Sequence, residues 1–269
     1  AAKSSVLELH EGAEALKIGV IEVPMFYMDF EARTRGEEDF RSTTRDVRRL
    51  INELADNPID ALIIDLRSNG GGSLSEATDL TGLFIDVGPV VQVRNSQGRV
   101  QVERDTDRGV AFGGPLAVLV DRNSASASEI FAGAIQDYGR GLILGEATFG
   151  KGTVQNLVDL NRFDDTMDGK LGQLKATIAQ FFRVAGGSTQ HKGVVPDITF
   201  PSALSTDDHG ERALNNALPW AKIAAAKFAP VANDISGIVM LQKLHVARIA
   251  GDPAYQAILA QEAAIEKTR

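Results

Sequence analysis

Asn123-Ser-Ala-Ser-Ala-Ser-Glu-Ile130 follows the apolar run Pro115-Leu-Ala-Val-Leu-Val120 and precedes a stretch in which Ile130, Ala134 and Tyr138 recur at helical spacing. A short continuous apolar run between turn signals reads as a strand buried on both faces, and the spacing after it reads as a helix with one apolar face. Ser126 therefore stands where a strand hands over to a helix. Ser126-Ala-Ser-Glu129 fits the capping box, in which a serine oxygen and a glutamate satisfy free N–H groups at a helix start. The same position suits a nucleophile, because unpaired backbone N–H groups and the positive end of the helix dipole stabilise an anionic intermediate there. The two readings are compatible, and the four residues alone do not choose between them.

Lys151 lies 25 residues further on, within Thr148-Phe-Gly-Lys-Gly-Thr-Val-Gln155. A serine nucleophile and a lysine general base define acyl-transfer chemistry, most simply that of a peptidase. The flanking Gly145-Glu-Ala-Thr-Phe-Gly-Lys-Gly152 imitates a phosphate-cradling loop, but Gly152 stands where that motif needs a hydroxyl. The residues after it, Thr153–Leu160, favour a strand over a helix. Nucleotide binding is set aside on that context.

The strand, tight loop, helix pattern also occurs upstream. Asp60-Ala-Leu-Ile-Ile-Asp-Leu66 reads as a buried strand, followed by Arg67-Ser-Asn-Gly-Gly-Gly72 and a helix through Glu76, Leu80 and Phe84. Three consecutive glycines present bare backbone N–H groups and favour close approach to a ligand or an oxyanion over a merely flexible connection. Such units stack around a parallel sheet, so the expected class is α/β in layers. Ala15–Val23, Gly141–Gly145, Leu174–Val184 and Ile198–Phe200 read as further strands, and Val90–Arg94 with Val100–Arg104 as a hairpin. Asp46–Leu54 reads as an amphipathic helix through Val47, Leu50, Ile51 and Leu54. Asp29–Phe40 is expected to be a solvated loop or flap, and Asn161–Lys170 a polar turn. Residues 1–14 are expected to be a linker, 15–204 the core domain, and 205–269 a helical region built from Asp207–Phe228 and Ile235–Lys267.

Asp137 lies on the same helical face as Ser126, about 20° away in projection but about 16 Å along the axis. A structural carboxylate at the end of the helix is the competing reading to a catalytic one. The 269 residues carry a formal charge of −8, with a pI near 5.1, which argues against a nucleic-acid surface. Cysteine is absent, which excludes disulfides, thiolate metal sites and cysteine nucleophiles. His10, His191, His209 and His245 are too scattered to show ligand spacing, so no metal and no cofactor are expected. No apolar run is long enough to span a bilayer, and the first residues do not resemble a signal peptide.

Asp65-Leu-Arg-Ser-Asn-Gly-Gly-Gly72, Ser124-Ala-Ser-Ala-Ser-Glu-Ile130 and Gly145–Gln155, in that order and spacing, resemble the carboxyl-terminal processing proteases of family S41, most closely their tail-specific bacterial branch. The likeness runs from about Leu16 to the helical end. It implies a ClpP/crotonase-like layered fold, with Ser126 as nucleophile, Lys151 as base and Gln155 holding the lysine. It further implies an oxyanion hole from the Ala127 N–H and a glycine N–H in the 70–72 run, of which Gly71 is chosen. Asp137 matches a residue sometimes counted in that family as a third member of the charge relay. The expected substrates are proteins or peptides with apolar C-termini, the compartment is the periplasm, and no cofactor is required. The C-terminal helices are candidates for an adaptor or self-association surface. Members usually carry a PDZ domain, and none is evident before Leu16. Two other readings stay open: crotonase-like acyl-CoA chemistry, in which Ser126 is only a cap, and a catalytically silent scaffold.

Overall fold

The structure, a computed structural model, describes residues 1–11, 14–37, 39–163, 171–201, 209–231 and 235–268. Its first strand corrects an expectation. Residues 1–14 are not a linker, because β1 (Lys3–Glu11) pairs antiparallel with β2 (Glu14–Glu22), from Lys3 opposite Glu22 to Glu11 opposite Glu14. Val6, Leu7 and Leu9 of β1 remain exposed, so the apolar alternation that advertises a half-buried strand is missing. The strand forms through its partner rather than its own pattern.

The segment expected to be a flap carries the short helix α1 (Phe30–Thr34), capped by the Asp29 carboxylate, which accepts from the Ala32 N–H. Helix α2 (Thr43–Ala55) starts at Ser42 and buries Val47, Leu50, Ile51 and Leu54, the stripe its spacing predicts. Then come β3 (Ala61–Asp65), α3 (Leu74–Thr81), the hairpin β4 (Gly88–Asn95) and β5 (Val100–Asp105), β6 (Leu116–Val120), α4 (Ala127–Asp137) and β7 (Leu142–Gly145). After these follow β8 (Thr153–Asp159), β9 (Gln173–Phe182) and the two-residue β10 (Ile198–Thr199). The expected polar turn at 161–170 starts as a 3-10 turn through Phe163; its remainder lies outside the described residues.

Two sheets result, in the orders β1-β2-β3-β6-β7-β10 and β5-β4-β9-β8. In the first, β2, β3, β6, β7 and β10 run parallel, and Leu62, Ile64, Val118 and Ile143 are completely buried, as strands covered on both faces require. The second sheet is antiparallel. Helix α4 meets both sheets and α3. Its Phe131 is fully buried and packs edge-on to Phe84 at 5.8 Å and against Phe26 at 6.5 Å.

The parallel strands deliver three loops to one edge of their sheet: β3 ends in 66–72, β6 in 121–126 and β7 in 146–152. Ligands in such sheets bind beyond the carboxyl ends of the strands. Gly145, the last residue of β7, has φ +124°, and a Cβ there would lie 1.9 Å from the Val120 carbonyl oxygen, so only glycine fits.

The C-terminal region needs a second correction. Leu214–Pro230 is not helical. The Ile223 N–H donates to the Gly186 carbonyl and the Ala226 N–H to the Val184 carbonyl, so this alanine-rich segment runs extended beside the turn after β9. Backbone pairing to the core outweighs intrinsic helix propensity, a weak preference per residue. Helices α5 (Ile235–Ala250) and α6 (Pro253–Lys267) do form, with Asp252 capping α6.

Replacing Phe131 with Ala is expected to cost about 3–5 kcal/mol, read as a lowered urea midpoint with an unchanged m-value.

Candidate active site

Ser126 is the N-cap of α4 and adopts φ 58°, ψ −111°, a region that non-glycine residues enter only when their surroundings force it. The forcing contacts are visible. The Ser124 hydroxyl, fully buried, donates to the Leu66 carbonyl at 2.8 Å, and the Ser128 hydroxyl donates to the Asn69 carbonyl at 2.9 Å. The Ala125 N–H donates to that same Asn69 oxygen. The turn after β6 is thereby fastened to the turn after β3. Asp121 reinforces it, accepting from the backbone N–H groups of Ser68, Asn123 and Ser124.

Gly71 lies against the nucleophile candidate. At φ +103°, a Cβ placed on it would fall 2.8 Å from the Ser126 Cβ and 3.0 Å from the Ala127 nitrogen, so only glycine fits. The Ala127 N–H, in the first turn of α4, has no acceptor among the described residues. The Gly71 N–H does have one, because it donates to the Asn69 side-chain oxygen at 2.9 Å. To face a developing oxyanion it must exchange that partner.

Glu129 joins the two halves of the site. One of its oxygens, Oε2, accepts from the Ser126 N–H at 2.8 Å and from the Lys151 N–H at 2.9 Å. Its other oxygen, Oε1, accepts from the Gly150 N–H at 2.7 Å and the Thr148 hydroxyl at 2.6 Å. The carboxylate half of the capping box is thus formed, with the Glu129 N–H donating to the Ser126 carbonyl at 2.9 Å. The Ser126 hydroxyl holds no cap hydrogen bond of normal geometry. The Phe149 N–H adds a backbone link to the Ser124 carbonyl at 3.0 Å. Residues from two separate loops therefore converge on one fully buried carboxyl group.

Burial drives the Glu129 pKa up to about 7, against the pull of its four donors. Burial likewise holds the Lys151 amine below its usual value. The Lys175 charge pushes the same way, while Glu211 and Glu129 oppose. Loss of the Lys151 proton is what a general base at neutral pH requires. Ile130 is buried, and the Phe149 ring turns edge-on to His209 at 5.7 Å. Gln190, completely buried, bridges the same loop to a further carboxylate, accepting from the Gly152 N–H and donating to Glu211.

The other candidates sit differently. The Gln155 amide lies on β8, reaching only Thr177 at 3.4 Å, and no hydrogen bond joins it to Lys151 among the described residues. Asp137 sits at the far end of the 11-residue α4 from Ser126. Its carboxylate receives Arg183 Nη2 at 2.5 Å and Nε at 3.2 Å, together with the Ala185 N–H. In this arrangement it ties α4 to the end of β9. Glu129, Thr148 and Asn69 are functional candidates that sequence reasoning passed over. Only the Ser-x-x-Glu spacing pointed to the first of them. Among the described residues no cluster of three ligating side chains is placed to hold a metal ion.

Comparisons with known proteins agree with this architecture. Residues 17–200 match the model of peptidase family S41, and residues 204–269 match that of the C-terminal domain of tail specific protease. The chain is 45% identical over 251 residues to the tail-specific protease of Haemophilus influenzae, covering 92% of this chain and 34% of that one. It is 36% identical over 170 residues to the chloroplastic C-terminal processing peptidase of Tetradesmus obliquus, covering 63% and 35%. The photosystem II D1 C-terminal processing protease superposes with a TM-score of 0.59 at 31% identity, over 77% of this chain and 50% of that structure. The chain belongs to peptidase family S41. It spans about a third of the length of these curated relatives.

Two outcomes follow from the geometry. A carboxyl group whose pKa is higher folded than unfolded binds more protons in the folded state, so its contribution to stability falls as pH rises from about 4.5 to about 7. Glu129→Gln is expected to remove this dependence, roughly 3 kcal/mol across that window, seen by comparing unfolding free energies of the two proteins at pH 5 and pH 7.5. Asp137→Ala should cost about 3–5 kcal/mol by leaving Arg183 half-buried and unpaired, measured by denaturant unfolding, while the pH dependence of any turnover keeps its shape.

Proposed function

We propose that the chain is the catalytic part of a serine endopeptidase that cleaves protein chains near apolar C-termini, with Ser126 as nucleophile and Lys151 as base. The observation that carries the reading is the shared carboxylate: Glu129 Oε2 accepts the backbone N–H of both residues, and it does so beside a lysine whose amine burial has made less basic. Neutral Lys151 takes the hydroxyl proton as Ser126 Oγ attacks the scissile carbonyl carbon. The carbonyl oxygen becomes an oxyanion, supported by the Ala127 N–H, the N-terminus of α4, and the Gly71 N–H once it leaves Asn69. Collapse of the tetrahedral species breaks the C–N bond, and the Lys151 ammonium returns the proton to the departing amine. Water, deprotonated by the same amine, then hydrolyses the Ser126 ester and restores the serine.

Gln155 would hold the lysine only after a change of partner, since its amide now faces Thr177. No cofactor enters these steps. Among the described residues no helix is long and apolar enough to cross a membrane, and residence in the periplasm is proposed from the resemblance to the bacterial branch. The C-terminal helices leave Val239, Met240, Leu244 and Ile258 exposed, consistent with an adaptor or self-association surface. No observation favours acyl-CoA chemistry, which would give the strained Ser126 and the half-buried Lys151 nothing to do.

Digestion of an unfolded protein with an apolar C-terminus tests the assignment. Ser126→Ala and Lys151→Ala should each lower turnover by at least roughly 10³-fold. Activity should rise with pH, because both Lys151 and Glu129 act in their deprotonated forms. Unchanged turnover in Ser126→Ala, or a rate independent of pH when chemistry limits it, would remove the dyad.

A further inference from the structure

Two sets of bonds hold the loop that carries Lys151, and only one of them comes from the side of Ser126. In that set, Glu129 accepts the Gly150 and Lys151 N–H groups, and the Ser124 carbonyl accepts the Phe149 N–H. The second set comes from residues later in the chain. The Gly150 carbonyl accepts the His191 N–H at 2.8 Å, the Phe149 carbonyl accepts the Glu211 N–H at 3.0 Å, and the Gly152 N–H donates to Gln190 Oε1 at 2.8 Å. Gln190 Nε2 then donates to Glu211 Oε1 at 3.2 Å. Glu211 therefore meets the chain two residues before Lys151 through its own backbone, and one residue after Lys151 through a single intervening side chain. The approach is close: Gly210 has φ +87°, and a Cβ on it would fall 2.4 Å from the Phe149 carbonyl oxygen. Glu211 is only 9% exposed and Gln190 is completely buried, and Glu211 forms no ion pair among the described residues. Gln190 is steadied in turn, since its N–H donates to the Ser188 hydroxyl and the Ser188 N–H to the Ala221 carbonyl.

Glu211 and Ala221 both lie in the stretch 204–269 that matches the C-terminal domain of tail specific protease, outside the 17–200 that match peptidase family S41. An appendage that merely packs on a core has no need of a buried carboxylate, which costs free energy wherever it is placed away from water. This one is placed against the lysine loop. We propose that Glu211 is a positioning residue for Lys151 supplied by the C-terminal region: it braces the lysine loop at Gly152 through Gln190, next to its own backbone bond to Phe149, and sets a buried negative charge beside that loop. The assignment deepens the peptidase reading and rests on it for the role of Lys151 as base. Its two parts are separable, because the brace needs only an oxygen that accepts from Gln190, whereas the charge needs the carboxylate. The charged and titratable groups that face the loop are Glu129 from α4, Lys175 from β9, His191 and His209 beside Gly150 and Phe149, and Glu211 itself. Glu211 and Glu129 favour the protonated Lys151 amine, and burial and Lys175 oppose them.

Amide hydrogen exchange in the Ser126→Ala chain tests the brace. Glu211→Ala is expected to speed exchange of the 148–155 amides by roughly 10-fold, the effect of one lost buried hydrogen bond, while α2 (Thr43–Ala55) exchanges as before. Glu211→Gln, whose amide oxygen still accepts from Gln190, is expected to restore slow exchange. The charge is tested on the same Ser126→Ala background by reductive dimethylation with labelled carbon. The Lys151 resonance, identified by its loss in Lys151→Arg, is expected to titrate at lower pH in Glu211→Gln than in the parent. In the chain that retains Ser126, Glu211→Gln should raise turnover at pH 6.5 relative to turnover at pH 9 by at least about twofold. Unaltered exchange in Glu211→Ala, equal acceleration of α2, or a Lys151 titration that stays in place or moves to higher pH in Glu211→Gln overturns the proposal. The Glu211→Gln titration decides it alone if the alanine variant does not fold. Exchange and titration need no turnover, so their failure leaves the peptidase reading standing, and a chain that hydrolyses nothing leaves a positive result in both intact.

Discussion

The buried carboxylate of Glu129 is the constraint on which the site depends. A charge without water must be met by donors, and the donors here are three backbone N–H groups and one hydroxyl, drawn from the loop after β6 and the loop after β7. The dependence runs both ways. Those N–H groups are themselves withdrawn from solvent and would be costly to leave unpaired. Neither loop can therefore move far without stranding the other's polar groups, and this fixes a serine and a lysine 25 residues apart in relation to each other.

Under the proposed mechanism the carboxylate also opposes catalysis, since its charge raises the pKa of the amine proposed as the base. The structure resolves this by committing the carboxylate's lone pairs to hydrogen bonds and by surrounding Lys151 with stronger opposing influences, burial first and the Lys175 charge second. Strain at Ser126 is handled in the same cooperative way. Its positive φ is imposed by neighbours on both sides, Ser124 and Ser128, which reach back to Leu66 and Asn69. Asn69 then has two functions at once. It anchors the turn at Ser126 through its backbone oxygen and occupies the Gly71 N–H through its side chain, so the proposed oxyanion hole and the proposed nucleophile are coupled through one residue.

Much of the layered core was legible because its signals are local. Apolar runs such as Leu62–Leu66 and Leu116–Val120, the stripe on α2, and the glycine loops each announce themselves within a few residues. Two segments misled for the opposite reason. β1 shows no alternation because its apolar residues stay exposed and its partner supplies the structure. The alanine-rich Leu214–Pro230 has helical composition, yet its N–H groups find acceptors on the turn after β9. The role of Glu129 was half legible: its contact with Ser126 follows from a three-residue spacing, whereas its contacts with Thr148, Gly150 and Lys151 lie 19 to 22 residues away and have no sequence signature.

Helix α4 is the rigid element that relates these features, and its two ends have opposite electrostatic characters. The N-terminus offers the positive pole and, beside Ser126, the Ala127 N–H, which has no acceptor among the described residues. The C-terminus carries the negative pole and Asp137, and on its own would repel a carboxylate. Arg183 offsets that charge by bonding Asp137, the Gln136 side chain and the Gly133 carbonyl together, so α4 is held at this end by an ion pair and keeps a free Ala127 N–H at the other.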